Sequence, residues 1–327
     1  MEYRVLGRSD LQVSTISFGA GPISGLMVGD DAGSQQQTVQ AACDADMNWF
    51  DTAATYGDGR SEQALGNALQ SCTTKTPPMV ATKVRLMPDQ LDNIASAVHT
   101  SFSESLRRLG RERVQLLQLH NSVTAARGDL PTSVTVQDVL GPGGVMEAFE
   151  RLQTDGLVDA FGFTGLGDQQ SLHTLITDGR FSAAQIPFNL LTPFAARGQS
   201  DGSVDVDYQQ LTEDCCTHDV GVIAIRVFAG GALAGQPPSP HTYRTQFFTL
   251  DIFERDRQQA QQLTAMLPDG MSLSDVSLRF VLSVPGVTTA LLGLATPGEV
   301  RQAQQSAARG RLNDGLMHVV VFTRQGD

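Results

Sequence analysis

Short, almost wholly apolar runs alternate along this chain with stretches in which apolar residues recur every three or four positions. Eight such runs occur: Thr15–Gly19, Trp49–Ala53, Met79–Val84, Val114–His120, Ala160–Thr164, Ala184–Phe188, Val222–Val227 and Thr289–Gly293. They lack strict polar/apolar alternation, as expected of parallel strands whose outer face is covered by helices. The stretches between them read as helices. These are Gln36–Met47, Ser61–Gln70 with Ser61 as N-cap, Leu91–Leu109, Val145–Thr154, Ser171–Thr177, Tyr208–Cys216, Leu273–Val284 and Glu299–Ala308. In Leu91–Leu109 the apolar side chains Leu91, Ile94, Ala95, Val98, Phe102 and Leu106 fall at helical spacing. Repeated strand–helix alternation predicts an α/β fold, and eight units predict closure into a (β/α)8 TIM barrel.

Ahead of the first unit, Tyr3–Leu6 and Gln12–Ser14 flank Gly7-Arg8-Ser9-Asp10, the signature of an N-terminal β-hairpin. Three segments break the alternation: Gly21–Gln35, Val123–Gly144 and Ala229–Ile252. They are rich in Gly, Pro and Ser and are predicted as long loops at the C-terminal mouth, where loops of this length are usually functional or disordered. Phe253–Leu267 reads as an extra helix. No repeat, low-complexity tract or linker is visible, so residues 1–327 are read as a single domain.

Composition narrows the partners. With 41% hydrophobic residues over 327 positions, a full core can form. A formal net charge of -12 offers no attraction to nucleic acid or to an anionic membrane, and neither is expected as a partner. Cys43, Cys72, Cys215 and Cys216 show no paired metal-ligand spacing and read as thiols of a reducing compartment, with no metal site. No basic-then-apolar leader and no stretch long enough to span a bilayer is present. A soluble cytoplasmic protein is expected.

Candidate chemistry sits where the apolar runs end. Asp51 lies near the end of the second run, with Tyr56 five residues on; Lys83 lies near the end of the third, and His120 closes the fourth. If those strands are parallel neighbours, all four side chains meet at one mouth. A free phenol titrates near pH ~10, too high for easy proton exchange at neutrality, but a neighbouring ammonium stabilises the phenolate. Asp51 can pair with Lys83 and offset the burial of its charge. Tyr56 is then a general acid in reduction and a base in oxidation, with His120 orienting a carbonyl oxygen. Taken singly, Asp51 could cap a turn, Lys83 end a strand in solvent, and Tyr56 and His120 pack in a core. The ordered set is what points to catalysis.

Phe50-Asp51-Thr52-Ala53-Ala54-Thr55-Tyr56-Gly57, the strand ending at Lys83, and Leu117-Gln118-Leu119-His120 resemble, in that order, motifs of the aldo-keto reductase family. The resemblance covers nearly the whole chain. It implies an NAD(P)-dependent oxidoreductase in which a dinucleotide, NADP or NAD, lies extended across the mouth and no metal takes part. The cofactor contacts it implies are Ala20, Gly21, Asp51, Thr164, Gln185, Arg226, Phe228, Ala229, Gly231, Gly293, Thr296 and Glu299.

The chain also departs from the family pattern. Gly165 stands where a Ser–Asn pair usually supplies an amide, leaving Thr164 the hydroxyl role and Gln185 the carboxamide. Ile225 replaces an aromatic ring, and the adjoining Arg226 either stacks on the nicotinamide, reaches the pyrophosphate, or forms a structural salt bridge. Neither Gly293 nor Glu299 is basic. A carboxylate at Glu299 would repel the NADP 2′-phosphate and accept a ribose hydroxyl, so NAD is expected to serve at least as well as NADP unless Arg301 compensates.

The substrates implied are small aldehydes, ketones or sugar-type carbonyls interconverted with alcohols, on a monomer or homo-oligomer. Two alternatives share the fold: an NAD-dependent aldose 1-dehydrogenase, and a cofactor-binding regulatory subunit such as a potassium-channel beta subunit. A Rossmann reading fails on glycine spacing in Gly19-Ala20-Gly21-Pro22-Ile23-Ser24-Gly25, and no P-loop or H-E-x-x-H is present.

Overall fold

The structure is a computed structural model in which residues 1–191, 206–268, 270–313 and 315–317 are described. Eight parallel strands close into a barrel: β3 (Ile16–Gly19), β4 (Trp49–Asp51), β5 (Met79–Val84), β6 (Val114–Leu119), β7 (Val158–Thr164), β8 (Ala183–Pro187), β9 (Gly221–Ile225) and β10 (Val287–Leu292). Closure is made by β10, which pairs with β9 on one side and with β3 on the other, Ala290 facing Ile16. An antiparallel hairpin of β1 (Tyr3–Val5) and β2 (Gln12–Ser14) precedes the barrel. The fold is the TIM barrel expected from eight strand–helix units.

The surrounding helices are α1 (Ala32–Asp44), α2 (Arg60–Ser71), α3 (Ile94–Leu109), α4 (Val136–Leu140), α5 (Val145–Thr154), α6 (Gln169–Asp178), α7 (Tyr208–Thr217), α8 (Leu250–Met266), α9 (Leu273–Ser283) and α10 (Pro297–Ala308). Most begin on a side-chain cap that satisfies an otherwise orphaned backbone N–H. Asp31 accepts from Ser34 N at 3.0 Å, Asp168 from Ser171 N at 2.9 Å and Asp207 from Gln210 N at 2.9 Å. The α3 helix stops where Gly110 turns left-handed, φ 62°.

Three local expectations change. The first helix starts at Ala32 rather than Gln36 because Asp31 caps it through a stretch that looks loop-like. Ser61 is not a cap: Gly59 holds the N-cap position of α2, and the buried Ser61 hydroxyl donates to the Ala20 carbonyl at 2.7 Å. The segment 123–144 contains α4, which begins on a capping box between Thr135 and Asp138.

Strand periodicity layers the barrel interior. Trp49, Ala81, Leu116, Ala160, Ala183 and Ile223 form an apolar cluster with Leu6 and Val13 of the hairpin, which floors the lumen. Two residues further along the same strands stand Asp51, Lys83, Gln118, Gly162 and Gln185. The fold therefore places a polar layer directly above an apolar one.

Candidate active site

Lys83 is the hub of the polar layer. Its ammonium, fully buried on β5, donates to Asp51 Oδ1, to the Thr52 carbonyl at 2.7 Å and to the Tyr56 hydroxyl at 3.3 Å. Burial by itself would strip its proton, yet the attraction of Asp51 and Tyr56 outweighs this and holds its pKa above the ordinary lysine value. Burial likewise pushes Asp51 upward, against the pull of Lys83.

The other oxygen of Asp51 accepts two amides. Gln118 Nε2 reaches it at 3.0 Å from β6, and Gln185 Nε2 at 2.6 Å from β8. Gly162 on β7 makes room for the first of these. A Cβ there would lie 3.0 Å from Gln118 Cγ and 3.0 Å from the Ala183 carbonyl oxygen. Three donors thus fix one carboxylate, which in turn fixes the ammonium beside the phenol.

Tyr56 is carried by a turn after β4, its N–H bonded to Ala53 O at 3.1 Å and its C=O accepting from Ser61 N at 3.2 Å. The half-buried ring meets His120 edge-on, centroids 5.6 Å apart at 84°. His120 N donates to Val84 O at 2.8 Å, and its Nδ1 shares a 3.2 Å hydrogen bond with the Thr55 hydroxyl. Among the described residues Nε2 has no partner. Burial, and then the charges of Arg85 and Lys83, hold the imidazole pKa well below its usual value, so it is neutral at pH 7. A neutral imidazole can donate a hydrogen bond to a carbonyl oxygen without protonating it.

All four expected catalytic side chains therefore converge. Of the remaining candidates, Thr164 ends β7 and Gln185 lies within β8, while the others stand on loops and helix starts that follow the C-terminal ends of β3, β9 and β10. Ala20 is buried and its N–H donates to Asp51 O at 2.8 Å, while the next residue, Gly21, backs the Tyr56 ring. Thr164 pairs in register with Gln185, and its hydroxyl is buried without a partner. That orphan hydroxyl suits a primary carboxamide, the group a nicotinamide presents. Gln185 gives its amide nitrogen to Asp51 instead. An amide side chain at Gly165 would crowd Ile186, whose Cδ1 lies 2.7 Å from the position of a Cβ.

Arg226 forms the salt bridge left open by the sequence, at 3.3 Å from Asp256 Oδ2, and its guanidinium lies 4.0 Å over the Phe248 ring. Phe228 is half-buried and precedes a 3-10 turn, Ala229–Ala234, in which Ala229 and Gly231 have positive φ. Gly293 lies beside Ser24, whose hydroxyl is also buried and unpartnered. Thr296 caps α10, and Glu299 Oε2 accepts from Ala295 N at 2.7 Å.

Gln118 was not singled out in the sequence, although a signal exists. It is an amide in the apolar run Leu116-Leu117-Gln118-Leu119, two residues before His120, and a buried amide requires partners. Arg85 also belongs to this mouth, half-buried with Nη2 3.4 Å from the His120 carbonyl.

The family model of the Aldo/keto reductase family matches residues 15–318, and the chain belongs to that family. It is an oxidoreductase of that type. The chain is 26% identical over 307 residues to L-galactose dehydrogenase of Arabidopsis thaliana, covering 92% of this chain and 86% of that one. A probable voltage-gated potassium channel subunit beta of Arabidopsis thaliana is 33% identical over 124 residues, 37% of each chain. Among solved structures, the holo form of an aldo-keto reductase from Bacillus halodurans shares the fold with TM-score 0.73 and 22% identity, over 98% of this chain and 95% of that one. No helix among the described residues is long and apolar enough to cross a membrane.

Proposed function

We propose that this protein interconverts a small carbonyl compound and its alcohol with a nicotinamide dinucleotide, and that Tyr56 moves the proton. The observation that carries the reading is the buried Lys83 ammonium 3.3 Å from the Tyr56 hydroxyl, locked there by Asp51. When bound, the dinucleotide supplies or accepts the hydride. Thr164, Gly21, Phe228 and the turn at Ala229–Gly231 are the residues offered to it, the orphan hydroxyl of Thr164 being the group with the clearest vacancy for a carboxamide.

In reduction, His120 aligns the carbonyl oxygen toward the phenol. Tyr56 gives its proton to that oxygen as negative charge develops there, and Lys83 stabilises the phenolate left behind. In oxidation the same phenolate takes the proton from the alcohol. Asp51 touches neither partner; it keeps Lys83 charged and in place.

NAD is proposed to serve at least as well as NADP. The carboxylate of Glu299 sits at the start of α10 and Gly293 offers no cation, so nothing at these positions attracts a 2′-phosphate. The similarity to L-galactose dehydrogenase favours sugar hemiacetals, oxidised at C1, as a second substrate class. The test is a panel of 4-nitrobenzaldehyde reduction and aldose oxidation, with kcat/KM measured for both cofactors. Turnover with either substrate supports the reading, and a strong preference for NADP(H) removes the cofactor assignment. Tight cofactor binding with no turnover of any carbonyl or sugar would favour a regulatory role instead.

A further inference from the structure

Arg85 is the charged group of the mouth for which the mechanism has no task. It stands two residues past Lys83, just beyond the end of β5. The guanidinium is half-buried; among the described residues its buried Nε has no hydrogen-bond partner, and its one bond is the 3.4 Å contact from Nη2 to the His120 carbonyl. Among the described residues no carboxylate lies within 4.0 Å of it. Arg108 and Arg226 show the ordinary arrangement, paired with Glu62 at 2.6 Å and with Asp256 at 3.3 Å. In a chain of net charge -12 a half-buried cation left without a counter-ion is conspicuous, because withdrawing a charge from water is unfavourable unless something pairs with it.

Arg85 lines a cleft of about 640 Å³ that begins at Ala54 and Thr55 and runs outward along α3 past Asn93 and Thr100. Thr55 is the residue whose hydroxyl bonds His120 Nδ1, so one hydrogen bond links the lining of the cleft to the group proposed to orient the carbonyl. Two carboxylates also line it, Asp58 and Glu104; both are exposed, and Glu104 reaches Arg108 at 3.5 Å.

We propose that Arg85 receives a carboxylate on the substrate, and that the natural substrates are carbonyl compounds bearing an acid group a few atoms from the reacting carbon. The planar guanidinium carries paired N–H donors that match the two oxygens of a carboxylate. This rests on the carbonyl-interconversion reading above and deepens it by assigning a substrate class.

The experiment compares 4-carboxybenzaldehyde with 4-nitrobenzaldehyde, two activated aldehydes of similar shape that differ in charge. They are assayed with the wild-type protein, Arg85→Met and Arg85→Lys. The expected result is a KM at least tenfold lower for the carboxylate in the wild type. In Arg85→Met the ratio of kcat/KM for the acid over the nitro compound falls at least tenfold, mainly through KM, and Arg85→Lys recovers part of it. An unchanged ratio, with both substrates losing equally, marks Arg85 as a structural brace of the His120 segment and overturns the proposal. If the wild type turns over neither aldehyde, the carbonyl reading fails by itself. Benzoate binding by calorimetry to the cofactor-loaded protein then decides on Arg85. Binding that is lost in Arg85→Met sustains the anion site, and no binding to the wild type overturns it.

Discussion

The floor of the barrel and the layer above it are built by the same strands, two residues apart, and do opposite things. Trp49, Ala81, Leu116 and Ala183 interlock with the hairpin residues Leu6 and Val13 in an apolar plug. Asp51, Lys83, Gln118 and Gln185 share a buried polar network one step higher. The floor gains from leaving water; the upper layer loses from it and is kept only because each charge is answered by another group. On the mechanism proposed, stability and function are separated by one strand period, and substitutions in the two layers should fail in different ways.

The largest effect is expected in the upper layer. Asp51→Asn leaves the Lys83 ammonium buried without its counter-charge, for which a loss of roughly 3–5 kcal/mol of stability is expected. Its kcat should fall with the melting temperature, because the ammonium no longer supports the phenol. Denaturant unfolding with parallel kinetics checks this; an Asn variant as stable and as active as the parent would remove the network from the account.

In the floor, Leu6→Ala should cost about 2–5 kcal/mol by the same unfolding assay while kcat per folded molecule stays within about twofold. A large loss of kcat without loss of stability would contradict the separation of the layers. Gly162→Ala probes the boundary. The added methyl has to displace Gln118 or the β8 backbone, at about 1–3 kcal/mol, and a several-fold loss of kcat/KM should accompany it as Gln118 leaves Asp51.

The smallest effect concerns pH. His120 has a folded-state pKa below the usual 6.5, so between the two values the unfolded chain binds a proton that the folded chain does not. Its contribution to stability is complete above about pH 6.5 and is lost as pH falls below it, with a slope of at most about 1.4 kcal/mol per pH unit for one proton. His120→Gln should flatten that part of the stability profile. An identical acid slope in the variant would assign it to other groups.

Much of this was legible in the sequence because strand period and burial leave strong marks. Four polar residues ending or following three successive apolar runs are unusual enough to place Asp51, Tyr56, Lys83 and His120 at one mouth. The β5 and α5 boundaries read directly from the chain. What escaped was set by tertiary contacts. Ser61 looks like a helix cap but is drawn inward to Ala20, since Gly59 already starts the helix. Glu299 reads as a cofactor contact, yet its carboxylate also bonds the Ala295 N–H at the start of α10. Gln118 and Gln185 reach Asp51 from strands 67 and 134 residues away along the chain, a separation no local pattern encodes. Arg85 carries no motif; only its missing partner draws notice.

The central claim is that the Tyr56 hydroxyl, held beside the Lys83 ammonium, carries the proton of the reaction. Its most direct test is Tyr56→Phe, which keeps the ring and its contact with His120 and removes one oxygen. Turnover of 4-nitrobenzaldehyde is measured alongside cofactor binding, followed by fluorescence on the same preparation. The account predicts a loss of kcat of roughly 10²–10⁴-fold with the cofactor Kd nearly unchanged. A phenylalanine variant that binds cofactor and turns over at the wild-type rate would contradict it.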